Sequence, residues 1–152
     1  MGSAYLTDSQ IQRVQGLIGH AVIGIEEYHW QLEDEQPSLE YVKLEFADGS
    51  SIIVRVGALA ENVDLIDPDE LENELERRGR EMFVKSRIQD SPVWKRLLGH
   101  VLLNVTLEDV KGYAHSSIVL HSSEGATQIT TTADALEVRL PPLTRMFAGS
   151  DL

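Results

Sequence analysis

Cysteine is absent from this 152-residue chain. No disulfide framework and no thiolate metal site can therefore exist, and nothing in the composition asks for an oxidising compartment. No apolar run reaches the length needed to span a bilayer, and the N-terminal stretch lacks the basic and apolar regions of a secretory signal. The expectation is a cytoplasmic protein that does not enter membranes. Glycine-rich phosphate loops, a Gly-x-Ser-x-Gly elbow and His-Glu-x-x-His spacing are missing too, so no nucleotide, acyl-transfer or zinc-protease chemistry is signalled. No cofactor is expected.

Basic residues are scarce where acids are dense. The formal net charge is -12, but residues 1–76 hold seventeen Asp and Glu against three bases, a net of -14, while the remainder carries eight acids and ten bases. Such a potential repels nucleic acid and anionic lipid and attracts basic partners. With 152 residues the chain can bury a core of its own, so a single domain over residues 1–152 is expected.

What is present is a repetition. "LIGHAVIGI" (residues 17–25) returns as "LLGHVLLNV" (residues 97–105), "YVKLEFADGSSIIVRV" (41–56) as "SIVLHSSEGATQITTT" (117–132), and "NVDL" (62–65) as "EVRL" (137–140). Three blocks in the same order at offsets of 80, 76 and 75 predict two copies of one supersecondary unit. Each copy reads as helix, strand, hairpin, strand. Repeat one covers about residues 7–66, a linking helix 67–79, repeat two about 86–140, and a tail 141–152. The predicted class is α+β with a mainly antiparallel sheet.

Local signals fill in the elements. Thr7 or Asp8 caps the first helix, and Ser91 with Pro92 predicts its counterpart through Leu98. Period-two alternation then predicts strands that bury Ala21, Ile23 and Ile25 in one copy and Val101, Leu103 and Val105 in the other, with Val42, Leu44, Phe46, Ile118 and Leu120 completing the core. Asp48-Gly49 marks a hairpin turn. Ile52, Val54 and Val56 form an apolar face where the second copy has Gln128, Thr130 and Thr132, and the linking helix, capped by Asp67, Pro68 and Glu70, is the expected cover. Residues 82–88 read as a strand interrupted at Ser86.

Two sites compete. The insertion from Glu26 to Ser38 places Tyr28 and Trp30 among carboxylates including Glu33, Asp34 and Glu35, the composition of an exposed binding hot spot. With Glu70 and Glu74 of the linking helix it predicts an acidic partner-binding surface on an inhibitor, immunity-like or adaptor protein that meets a basic protein partner and has no enzymatic activity. The alternative uses His20 and His100, which a twofold relation between the copies would bring together as a metal or small-molecule site, or as part of a weak hydrolase. Two imidazoles alone fall short of the three or four ligands zinc requires. His121 reads as part of a solvated strand face.

Overall fold

The two Gly-His segments cross one another through reciprocal backbone hydrogen bonds. Gly19 donates its amide to the carbonyl of Leu102 at 2.7 Å and Gly99 donates to Val22 at 2.7 Å, while Val22 donates to His100 and Leu102 to His20, both at 3.0 Å. Ala21 lies antiparallel to Val101 in this crossing. Gly19 and Gly99 have φ of 97° and 85°, a left-handed conformation that glycine adopts without strain, which is how each chain turns into the crossing.

The computed structural model describes residues 6–31, 36–57, 62–110, 113–132 and 135–141. Within them the fold is α+β and mostly strand, with two antiparallel sheets and two α-helices. Helix α1 (Asp8–Gln15) leads into β1 (Val22–Trp30), β2 (Ser38–Phe46), β3 (Ser51–Val56) and β4 (Val63–Ile66). Helix α2 (Pro68–Arg78) and β5 (Phe83–Arg87) follow, then β6 (Asn104–Val110), β7 (Tyr113–Ser122), β8 (Gly125–Thr132) and β9 (Ala135–Arg139). The first sheet has the order β4-β3-β2-β1-β5 and the second β6-β7-β8-β9. The single sheet expected from the sequence is thus two. No described helix is long and apolar enough to cross a membrane. The tail residues 142–152 lie outside the described residues.

The main core fills the space between the sheets. Val22, Ile25, Val42, Leu44, Phe46, Ile52 and Val54 meet Ile118, Leu120, Ile129 and Leu136, and the ends are closed by Val14 of α1 and by Trp94 and Leu97. A second cluster lies on the outer face of the first sheet, where Leu71 and Leu75 of α2 cover Tyr28, Tyr41, Ile53 and Ile66. The middle of β3 is therefore buried on both faces, by Ile53 on one and Ile52 and Val54 on the other. Helix α2 covers the Ile53 face, whereas Ile52 and Val54 point between the sheets, a correction to the cover expected from sequence.

Three further expectations fail for reasons of pairing. The register of β1 against β2 runs Val22↔Phe46 and then Gly24↔Glu45, so Ile23 is an extra residue. Such a bulge breaks period two. Val22 and Ile25 are buried and Ile23 is 56% exposed. The second crossing segment behaves alike, with Leu102 1% exposed and Leu103 54%, and Val101 also exposed at 42%. Strand β6 accordingly begins at Asn104, beyond the residues that were expected to open it.

The hairpins differ by one residue. Phe46 donates to Ser50 at 2.9 Å around Ala47-Asp48-Gly49, whereas Ser122 pairs directly with Gly125 around Ser123-Glu124. Val42 pairs with Val54 and Ile118 with Ile129, so Val54 is the counterpart of Ile129 and Ile53 that of Gln128. One residue fewer in a turn moves a whole return strand to its other face. Residues 91–98 form successive turns instead of the expected helix, with Lys95 donating to Ser91 at 2.8 Å and Leu97 and Leu98 both donating to Trp94 at 2.9 Å. The stretch is too short to sustain a helix on its own. Strand β5 does form, and Ser86 pairs with Glu27 within it without interruption.

Candidate functional site

Helix α2 starts as its sequence dictates. The Asp67 carboxylate accepts from the Glu70 amide at 2.8 Å and the Glu70 side chain accepts from the Asp67 amide at 3.2 Å, with Pro68 in the first turn. Leu71 and Leu75, one turn apart, anchor the helix to the sheet, which leaves Glu74 and Arg78 on its flank facing β2 and β3.

Those flanking groups build a polar network under the helix. Tyr41 donates its hydroxyl to Glu74 at 2.7 Å. Arg55 of β3 forms an ion pair with Glu74 and also binds Asp64 through Nε and Nη2 at 3.0 and 2.8 Å. Arg78 donates to the Tyr41 hydroxyl at 3.0 Å and to Glu40 at 2.9 Å. The register of β1 against β2 passes from Tyr28↔Tyr41 to His29↔Leu39, skipping Glu40, and this bulge frees Glu40 to reach α2 beside Tyr41. Burial raises the Tyr41 phenol, with Arg78 opposing it. The acidic partners outweigh desolvation and hold Arg55 and Arg78 above the usual guanidinium value.

Three rings surround the same arginine. The Arg78 guanidinium lies 5.1 Å from the Trp30 ring, 5.7 Å from Tyr41 and 5.0 Å from Phe83, all within cation–π range. Trp30 and Phe83 meet edge to face at 5.1 Å. Tyr28 is 6% exposed and donates its hydroxyl to Glu26 at 3.3 Å; burial first, then the Glu26 charge, raise its pKa strongly. Two clefts open beside this cluster. One of about 210 Å³ is lined by Glu40, Tyr41, Arg55, Glu74, Arg77 and Arg78, and another of about 330 Å³ by Tyr28, Leu75, Arg80, Phe83 and Lys85 with Glu72.

Of the acidic surface expected from sequence, the structure brings Tyr28, Trp30 and Glu74 together at α2. Glu70 is exposed in the first turn of the helix. Glu33, Asp34 and Glu35 lie outside the described residues. His20 sits 3.8 Å from Asp48. The Asp48 carboxyl is held below its ordinary value chiefly by hydrogen bonds from Ser50, with the His20 charge a lesser cause. His100 lies half-buried across the crossing. Among the described residues no group of three or more His, Asp and Glu is arranged to hold a metal ion.

The sequence reading missed Glu40, Tyr41, Arg55 and the arginine pair. Arg55 carried a usable signal, a lone base in the apolar run "SIIVRV", because a charge within a buried strand needs a partner. Arg77 and Arg78 carry no such signal, because bases in the last turn of a helix are what its dipole favours.

His121 departs from the solvated position expected of it. It is half-buried with Nε2 3.2 Å from the Thr106 hydroxyl, and burial lowers its pKa from 6.5 while Glu108 opposes the shift. A depressed folded-state value favours the neutral ring, so this contribution to stability is complete above pH 6.5 and is lost as the pH falls through the folded value. Urea titrations at descending pH should show a slope of at most about 1.4 kcal/mol per pH unit from this group. His121→Gln should flatten that slope; an unchanged slope would assign it to other groups.

Compared with known protein families, curated proteins and solved structures, the chain matches none.

Proposed function

We propose that this protein is a non-enzymatic acidic binding module, of the inhibitor, immunity-like or adaptor kind, whose N-terminal half engages a basic protein partner. The observation that carries the reading is the division of labour on α2. The carboxylate on its inner flank, Glu74, is held by an internal ion pair, while Asp69, Glu70, Glu72 and Glu76 are exposed along its outer side. Arg80 contacts Glu72 at 2.9 Å and Glu76 at 3.2 Å. Exposed pairs of this kind contribute little, so a partner's cations can replace Arg80 at small cost. The proposed partner-binding residues are Trp30 and Glu70, with Tyr28 and Glu74 beneath them, together with Glu33, Asp34 and Glu35, which lie outside the described residues. A cytoplasmic setting belongs to this reading, since a chain without cysteine has no use for an oxidising compartment.

Neutralising the outer side tests it. Asp69→Asn, Glu72→Gln and Glu76→Gln together leave the core residues untouched. Immobilised wild type should retain a basic protein from cell lysate at low salt and release it at high salt, and the triple variant should bind that protein roughly tenfold more weakly. Equal retention by the variant, salt-insensitive retention or capture of nothing would each overturn the reading.

We infer further that the two sheets descend from a duplicated unit. Support comes from the matching strand orders β4-β3-β2-β1 and β9-β8-β7-β6 and from the reciprocal bonds of the Gly-His crossing, which relate Gly19 to Gly99 and Val22 to Leu102 at one offset. On this reading the paired glycines and histidines form the joint between the copies, and α2, inserted between them, carries what the first copy acquired.

A further inference from the structure

The cleft of about 210 Å³ beside α2 gathers three guanidinium groups, those of Arg55, Arg77 and Arg78. Residues 1–76 contain only three bases, yet Arg55 is one of them and the next two residues, Arg77 and Arg78, line the same cleft. Their donors are unequally engaged. Arg55 gives three of its nitrogens to Asp64 and Glu74. Arg78 uses Nη1 on Tyr41 and Nη2 on Glu40, which leaves its Nε unengaged among the described residues. Arg77 is exposed and makes no ion pair or hydrogen bond among the described residues.

The carboxylates around the cleft are already committed. Glu74 holds Arg55 and the Tyr41 hydroxyl, Asp64 also holds Arg55, and Glu40 holds Arg78, so three carboxylates answer the three guanidinium groups and the donors left for a ligand are those of Arg77 with Nε of Arg78. A guanidinium fork matches the two oxygens of a carboxylate or phosphate, and a lysine at the same place would not. The cleft is smaller than the roughly 300–1,000 Å³ typical of drug-sized ligands, so it suits a compact group. We propose that this cleft binds a small oxyanion, a phosphate or a short carboxylate, with Arg77 closing over it and Arg78 held beneath by Trp30, Phe83 and Glu40.

The proposal is independent of the basic-partner reading, because it uses the inner flank of α2 and not its outer side. Titration of the full-length protein with sodium phosphate and, separately, sodium malonate, followed by amide chemical shifts, tests it. Sodium chloride at matched ionic strength is the control, since any salt relieves self-repulsion in a protein of net charge -12. Saturable shifts at Tyr41, Arg55 and Arg77 with either anion, and none with chloride, support the site, and the more effective anion identifies the source as phosphate or carboxylate. Arg77→Gln should weaken that binding by about tenfold or more, with partial recovery in Arg77→Lys. Shifts that follow ionic strength alike for all three salts, or undiminished binding by Arg77→Gln, would overturn the proposal. The triple variant neutralised on the outer side of α2 should bind the anion normally, so the two readings fail separately.

Discussion

Trp94→Ala should be among the most damaging single truncations in this protein, costing about 3–5 kcal/mol in urea unfolding. Trp94 is 1% exposed and closes one end of the space between the sheets. Its indole N–H donates to Glu27 of β1 at 2.7 Å, a tie to the first sheet. The segment carrying it is tied to the second sheet by hydroxyls: Thr127 donates to the Val93 carbonyl at 2.7 Å and Ser122 to that of Arg96. Truncation therefore leaves a cavity at a junction that neither sheet can close by moving alone. Trp94→Phe separates the two contributions. It keeps most of the ring volume but leaves a largely buried carboxylate oxygen of Glu27 without its donor, a loss of about 1–3 kcal/mol. A loss below about 1 kcal/mol for the alanine variant would mean that the turn segment is dispensable to the core.

The segment around Trp94 also marks where the sequence stopped being legible. Capping signals are local, and they placed both helices: Thr7 with Gln10 and Asp67 with Glu70 each form the reciprocal cap that their spacing implies. The Asp48-Gly49 hairpin is equally local. Residues 91–98 carry the same kind of signal, Ser91 before Pro92, but their conformation is decided by burying Trp94 and Leu97 against two sheets. Tertiary burial outweighs a weak helix start of this length.

Of the polar network under α2, only Glu74 was singled out from the sequence, while Glu40, Tyr41 and the bases were not. Glu70 and Glu74 follow from helix periodicity, yet the groups that hold Glu74 arrive from β2 and β3, more than eighteen residues away in sequence. Glu40 reaches Arg78 only because β2 carries a bulge at that position, and a bulge belongs to a pair of strands, not to either strand alone. Trp30 shows the same limit. Its composition suggested an exposed hot spot, while the structure uses its ring to hold Arg78 against Phe83.

The bulge at Ile23 makes the sharpest test of the fold. Alternation assigns Ile23 and Leu103 to the core, whereas the structure leaves them 56% and 54% exposed and buries Val22 and Leu102 at 0% and 1%. Leu102→Ala should therefore cost about 2–5 kcal/mol, while Leu103→Ala should stay within about 0.5 kcal/mol of wild type. Val22→Ala and Ile23→Ala should fall in the same order, with a smaller gap because valine buries less surface. The size of the Leu102 effect has a second source in the crossing itself. Its amide donates to His20 and its carbonyl accepts from Gly19, so a backbone that shifts to fill the cavity must strain both bonds at once. Relaxation is then limited, and limited relaxation is what raises the cost of a core truncation towards the upper end of its range. Urea unfolding of the four variants decides the matter: a larger loss at Ile23 than at Val22 would remove the bulge from β1, and a larger loss at Leu103 than at Leu102 would restore period two to the second segment.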